Sequence, residues 1–317
     1  MGPTEQTIFE QFPYWQQAAA PLAPLKAAEV TIFAGCGTSY NLAMSLAALA
    51  NEAGRRAIAV PGGEWASRAS SYWANPAGAH IVVLSRSGET TETVAAARVS
   101  RAAGMFVTGI TVEPHSALAA HSDRLVVAPT DPREGIVMTT SASLMLLLGI
   151  ALIGHVVSAD AIAEAEALLR AVDAGVPARF DGRRHFVFLG GGALYGAAAE
   201  GALKLMEMSQ SFTQAFHPLE YRHGPISLID EGSVAVLLYS ADQRAAEAKL
   251  AGELRGKGAL VVGLGGEGDP SFAAPTEPAL ASLVYLPALQ LIGERVAQAR
   301  ELDTAAPRHL TKVVTLA

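Results

Sequence analysis

The sequence predicts an α/β protein built as two tandem, doubly wound parallel-sheet domains. Three observations carry that expectation: a repeat at fixed spacing, apolar runs that are continuous rather than alternating, and helical stretches that end on glycine. VTIFAGCGTSY at Val30 to Tyr40 matches HFVFLGGGALY at His185 to Tyr195, so Gly35 and Gly190 stand 190 − 35 = 155 residues apart. IVVLS ending at Ser85 matches VLLYS ending at Ser240, and 240 − 85 is again 155. A duplicated unit settles architecture before any single element is assigned.

Two further pairs follow in order, Phe106 to Ile110 with Leu260 to Leu264, and RLVVAP at Arg124 to Pro129 with SLVYLP at Ser282 to Pro287. Continuous β-branched runs of this length indicate strands covered on both faces, hence parallel strands, and all four pairs are expected to be strands. Between them ETTETVAAARVSRAAG and DQRAAEAKLAGELRGKG have helical period, with Gly104 and Gly258 as C-terminal stops. The boundary is placed in the polar, alanine-rich stretch near Ser158 to Arg184, where Gly175, Pro177 and Gly182 interrupt the helix pattern, with a first domain over 1–165 and a second over 166–317.

Composition narrows the function. Lys plus Arg total 23 against 30 Asp plus Glu, for a net charge of −7, and no basic block is present, so no nucleic-acid partner is expected. Mean hydropathy is +0.28, yet the most apolar run, Leu144 to Gly154, stops at His155 and suits a buried helix rather than a membrane span of about 20 residues. The N-terminus carries Glu5 and Glu10 without a basic segment, and Gln6 stands where a myristoylation motif needs Ser or Thr. A cytoplasmic protein with no membrane partner is the expectation. Cys36 is the one cysteine, and no close histidine pair suggests zinc, so neither a disulfide, a metal site nor a cofactor is expected.

Ligands in such sheets bind beyond the C-terminal strand ends. There GCGTSYN brings Gly37, Thr38 and Ser39 to a helix start, and SRSGET brings Ser85, Arg86, Ser87 and Thr90 to another. Hydroxyls and helix-start amides together suit a phosphate monoester. GxGxxG would need Gly where Tyr40 stands, and GxxxxGKS is absent, so NAD and ATP are not supported. The second copy has Asp242 in place of Ser87, which repels phosphate, so one phosphate site per chain is expected.

AAAEGALKLMEMS then places Glu200, Lys204 and Glu207 on one face of an otherwise apolar helix, either as a solvated ion-pair stripe or as buried groups tuned for acid-base work. PLEYRHGPISLID follows, with Glu220, Arg222 and His223 before a Gly-Pro break, and Lys312 lies near the C-terminus. Cys36 is expected to pack in its loop and not to act in catalysis.

GCGTSYN, SRSGET, EGALKLMEMS, RHGPISLID and LTKVVT, in that order and with IFEQFP near the start, resemble the duplicated sugar isomerase (SIS) domain of glucosamine-6-phosphate synthase and related aminosugar-phosphate isomerases and deaminases. The resemblance implies sugar-phosphate binding by Ser39, Ser85, Arg86, Ser87 and Thr90, with Arg86 in place of the family's more usual Gln. It implies proton transfer by Glu207 beside Lys204, ring opening by His223, a Schiff-base lysine in Lys312, and a counterpart in Glu64 to the family's glutamate of the SEFRYR segment; Glu64, Glu200 and Glu220 are the expected sugar-binding residues. It also implies a homodimer in which the histidine reaches the neighbouring site.

No glutaminase segment or N-terminal nucleophilic cysteine precedes the isomerase blocks, so glutamine is not expected as an ammonia source. VMTTSAS at Val137 to Ser143 lacks the synthase's lysine, and FHPLEYRHGP differs from its AGELKHGP. The expected reaction is conversion of glucosamine-6-phosphate to fructose-6-phosphate and ammonia. A fructosamine-6-phosphate deglycase or phosphosugar isomerase is the enzymatic alternative, and a non-catalytic phosphosugar sensor the other.

Overall fold

The computed structural model describes residues 1–76, 78–176 and 180–315, which leaves Pro177 of the expected boundary outside the described residues. In chain order the elements are α1 (Pro3–Phe9), α2 (Phe12–Ala18), β1 (Val30–Gly35), α3 (Thr38–Glu52), β2 (Ala57–Pro61), α4 (Gly62–Arg68), β3 (Ala79–Leu84), α5 (Thr91–Ala102), β4 (Phe106–Thr111), α6 (Ala117–Ala120), β5 (Arg124–Val127) and α7 (Thr140–Ile153). Then come α8 (Ala159–Gly175), β6 (His185–Gly190), α9 (Leu194–Ser209), β7 (Phe212–Phe216), β8 (Ser233–Leu238), α10 (Arg244–Gly256), β9 (Leu260–Leu264), β10 (Ser271–Phe272) and α11 (Ala281–Ala299).

Two parallel five-stranded sheets result, in the orders β2-β1-β3-β4-β5 and β10-β9-β8-β6-β7. The first unit comprises Pro13–Val157 together with the segment from His309 onward, and the second comprises Ser158–Arg308 together with Met1–Phe12. A boundary at 165/166 would cut α8, whereas the units divide just before it. Ser158 caps that helix, its Oγ accepting the Ala161 N–H at 3.1 Å.

In each sheet the order reverses at the strand second from one edge, β1 in one and β6 in the other. β1, β3, β6 and β8 are buried along their whole length or nearly so, as continuous apolar runs require. On one face of the first sheet Ile32, Ile81, Val83 and Trp65 pack with Ala96 and Ala97, and in the second Val187, Leu237 and Tyr221 pack with Leu250 and Leu254. Removing each of these Val, Leu and Ile side chains from water contributes about 1.5–3 kcal/mol before entropy is counted.

One expected strand is corrected. Ser282 to Pro287 lies inside α11, and the fifth strand of the second sheet is the two-residue β10. A short apolar run does not distinguish a buried strand from a buried helix, and here the run continues for 19 residues, far beyond strand length. α11 packs on α8, α9 and α1, so it is covered on several sides and shows no polar face. It is long and apolar enough to cross a membrane, but 89% of its most apolar window is buried within the protein. α7, the expected buried helix, is closed by Gly154 at φ 114°.

Candidate active site

In the first unit the end of β1 turns directly into α3. A Cβ on Gly35 would lie 2.5 Å from the Ser39 carbonyl carbon, so only glycine lets the first helical turn settle against the strand. Gly37 has φ +54° and caps α3, while Thr38 and Ser39 are buried in its first turn. The neighbouring loop leaves β3 and enters α5. Ser85 Oγ accepts the Gly88 N–H at 3.1 Å and Ser87 Oγ accepts the Glu89 N–H at 3.2 Å. Each hydroxyl serves its own turn as an acceptor and keeps its proton to donate, the arrangement an oxyanion needs. Thr90 is the N-cap residue of α5.

Arg86, expected among the phosphate ligands, is only 8% exposed, and its guanidinium donates to main-chain carbonyls. Nη1 donates to the carbonyls of Gly135 (3.1 Å) and Ile136 (2.9 Å), and Nη2 donates to the carbonyl of Lys312 (2.6 Å). Lys312 in turn donates from Nζ to the carbonyl of Glu134 at 2.8 Å. The C-terminal segment is thereby brought against the loop between β3 and α5 within one unit. Glu64, on α4, pairs with Arg68 and accepts from the Tyr72 hydroxyl at 3.4 Å.

In the second unit Gly190 repeats the role of Gly35, since a Cβ there would lie 2.4 Å from the Leu194 carbonyl oxygen. α9 carries the charged group. Glu200 and Lys204 are 0% and 1% exposed, and Lys204 Nζ lies 3.5 Å from Glu200 and in tighter contact with Glu207, whose side chain is 20% exposed. These are therefore buried charges and not a solvated stripe. Desolvation alone would push the Lys204 ammonium down, but the two flanking carboxylates more than offset it, and its pKa is raised. Lys204 is held protonated. That makes it an electrostatic partner and removes it as an amine nucleophile.

His223 and Glu220 are both exposed, on the turns between β7 and β8. Arg222 Nε donates to Glu253 at 2.8 Å and anchors that segment on α10, and Gly224, at φ +124°, turns the chain immediately after the histidine. Burial pushes the Cys36 thiol up, with Glu92 adding to the shift, so the loop cysteine is poorly suited to nucleophilic work. Among the described residues no group of three or more His, Cys, Asp or Glu side chains is placed to hold a metal ion.

Two informative residues were not singled out from sequence. Glu134 is buried, and its carboxylate accepts from the Ser141 N–H (3.2 Å), the Ser141 hydroxyl (3.0 Å) and the Thr139 hydroxyl (3.2 Å), bracing the start of α7. Glu247, on α10, accepts the Ser240 N–H at 2.8 Å and its hydroxyl at 3.0 Å. An acidic residue just ahead of a hydroxyl-rich helix start was the available signal for Glu134.

The SIS domain family matches residues 25–153 and 180–279. The isomerizing glutamine–fructose-6-phosphate aminotransferase of Photorhabdus laumondii is 31% identical over 317 residues, covering 89% of this chain and 51% of that protein. The enzyme of the same description from Pyrobaculum aerophilum is 28% identical over 344 residues, covering 98% and 56%. The chain thus spans about half the length of these relatives. Among solved structures, a glucosamine-6-phosphate deaminase from Thermotoga maritima superposes with a TM-score of 0.85 at 30% identity, covering 99% of this chain and all of that one. The C-terminal domain of glucosamine-fructose-6-phosphate aminotransferase from Francisella tularensis shares the fold, with a TM-score of 0.80 at 21% identity over 95% of this chain and 97% of that one.

Proposed function

The chain belongs to the SIS domain family, and from that premise we propose that it is an aminosugar-6-phosphate isomerase and deaminase, converting glucosamine-6-phosphate and water to fructose-6-phosphate and ammonia. The observation that carries this reading is the α9 group: a carboxylate that reaches solvent, Glu207, set against a buried, protonated Lys204. The likeness to the Thermotoga maritima deaminase over the full length of both chains supports the choice of reaction.

In this reading the loops at Gly37 to Ser39 and Ser85 to Thr90 bind the phosphate and orient the open-chain sugar. His223 assists ring opening. Glu207 takes the proton from C2 and returns it to C1, and the Lys204 ammonium offsets the negative charge that develops between them. The product is an imine at C2. Water, or the Lys312 amine followed by water, adds to that carbon and expels ammonia, leaving the ketone. Because Lys204 is held protonated, the role of holding the carbonyl carbon falls to Lys312. Glu64, Glu200 and Glu220 remain in the proposal as sugar-side residues, and Arg86 enters through the Lys312 carbonyl it holds.

A homodimer in a cytoplasmic setting is part of the same proposal. His223 is solvent-exposed, and the exposed Leu219 and Leu228 flank it in sequence, as a residue serving a neighbouring subunit would require. The test incubates purified protein with glucosamine-6-phosphate and follows ammonia and fructose-6-phosphate, with Glu207→Gln alongside. Both products are expected from the parent protein, and a fall of about 100-fold or more is expected in the variant. Binding without turnover would move the deglycase or sensor reading ahead.

A further inference from the structure

We infer that Arg86 is a positioning residue that sets Lys312 for its reaction with the sugar carbonyl, and that it is not a ligand of the phosphate. The inference rests on the role proposed for Lys312. It starts from where the side chain goes: out of the loop that carries Ser85 and Ser87, and onto three main-chain carbonyls, those of Gly135, Ile136 and Lys312.

Each end of this bridge is itself held. The Arg86 carbonyl accepts the Thr111 hydroxyl at 2.9 Å and the Val112 N–H at 3.3 Å, which pins the arginine main chain to the end of β4. On the far side, Lys312 donates to the Glu134 carbonyl, and the Glu134 carboxylate is tied to Thr139 and Ser141. The segment from Arg300 to Thr315 forms no helix or strand, and residues 309–312 are exposed. Little apolar burial fixes Lys312, so these hydrogen bonds set its place. A further tie, from Thr91 N–H to the Val314 carbonyl at 3.4 Å, lies two residues on.

The chemistry of the side chain explains why arginine suits this position. A guanidinium is a planar fork of five N–H donors that stays charged, so it can serve three carbonyls at once with charge-assisted bonds. A glutamine amide has two N–H groups on one nitrogen, and a lysine ammonium is a point charge without the fork. A cavity of about 410 Å³ opens beside the bridge, lined among others by Arg86, Ser87, Lys312 and Val313, so a sugar on the phosphate loop has the lysine within the same unit. Loss of the arginine would leave the phosphate donors intact and free the segment that carries the amine.

The test is reductive trapping on the full chain with fructose-6-phosphate and borohydride, read by intact mass. The Lys312 amine adds to the open-chain C2 ketone with loss of water, and hydride from the borohydride reduces the imine to a stable secondary amine. The parent protein is expected to trap sugar and Lys312→Ala is not. Arg86→Gln is expected to trap about 10- to 100-fold more slowly, because a displaced reacting group loses effective molarity, at an unchanged half-saturating sugar concentration. Tryptic cleavage after Lys312 should also quicken, with the melting temperature unchanged.

Trapping by Arg86→Gln at the parental rate would overturn the inference. So would a variant that regains the parental rate at high sugar, since that is the behaviour of a lost phosphate ligand. If Lys312→Ala still traps, the Schiff-base reading has failed by itself, and unchanged tryptic cleavage in Arg86→Gln would then dispose of the bridge as well. Should Arg86→Gln not fold, Arg86→Lys, which keeps the charge and loses the fork, is read by the same criteria.

Discussion

The two units share a strand order and a spacing, yet they treat the ends of their central strands in opposite ways. In the first, the loop after β3 keeps the hydroxyls of Ser85 and Ser87 as acceptors for its own turn, with protons left to donate. In the second, the equivalent Ser240 gives both its N–H and its hydroxyl to Glu247, a carboxylate only 2% exposed whose pKa burial pushes up. One loop is open to an anion and the other already holds one. The helices after the first strand diverge in the reverse sense. α9 buries Glu200 and Lys204, whereas 155 residues earlier α3 has Ser45 and Leu49, both 1% exposed. Open hydroxyl donors lie in one copy and buried charges in the other, and a handful of side chains is enough to make that difference.

The sharpest way to break that comparison is to give α9 the apolar character of α3. Lys204→Met leaves Glu200 fully buried and without its ammonium, and a loss of about 3–5 kcal/mol in urea unfolding is expected. A loss below about 1 kcal/mol would mean that the α9 charges are not coupled as the geometry requires.

The pH response should separate the units next. Burial holds His80 of the first unit at a pKa of about 4, and its Nε2 lies 2.8 Å from the Thr108 hydroxyl. The unfolded chain takes up this proton near pH 6.5, so the stability that neutral His80 contributes is complete above that pH and is lost as the pH falls toward 4. The shift corresponds to about 3 kcal/mol. Glu247 and Glu294 of the second unit run the other way, since burial raises both, and their destabilising contribution at neutral pH is relieved on acidification. Hydrogen exchange corrected for intrinsic rate should therefore show β3 and β4 losing protection before β8 and β9 between pH 6.5 and 4. The reverse order would contradict the assignment, and His80→Asn should flatten the first unit's response.

A smaller effect sharpens the contrast between the loops. Ser87→Asp gives the first unit the residue that Asp242 supplies in the second, while an aspartate can still accept the Glu89 N–H and keep the turn. KM for the sugar phosphate should rise about 10- to 100-fold with kcat changed far less, as for loss of uniform binding. A fall in kcat at constant KM would place Ser87 outside the phosphate site.

Much of this was legible in the chain itself. The repeat located β1, β3 and β4 with their partners β6, β8 and β9, because buried parallel strands are continuous apolar runs and their glycine turns recur at the same offset. β2 and β7 escaped notice although they too stand 212 − 57 = 155 apart. Ala57–Pro61 is short and half-buried, and Phe212 is 90% exposed, so neither carries a core strand's signature. Ser282 to Pro287 misled for a related reason: a helix packed on several sides loses the polar face that would betray its period.

The sequence by itself determined the duplicated α/β frame, the two hydroxyl-bearing loops of the first unit, and the presence of Glu200, Lys204 and Glu207 on one helix face, because strand runs, glycine turns and three-or-four spacing are local properties of the chain. Only the tertiary structure decided what those groups do. That Lys204 is buried and protonated, that Glu247 takes the donors of Ser240, and that Arg86 reaches a carbonyl 226 residues away are matters of which atoms meet after folding. Burial and hydrogen-bond partnership join segments far apart in the chain, and they set the charge and direction of a side chain that the sequence only names.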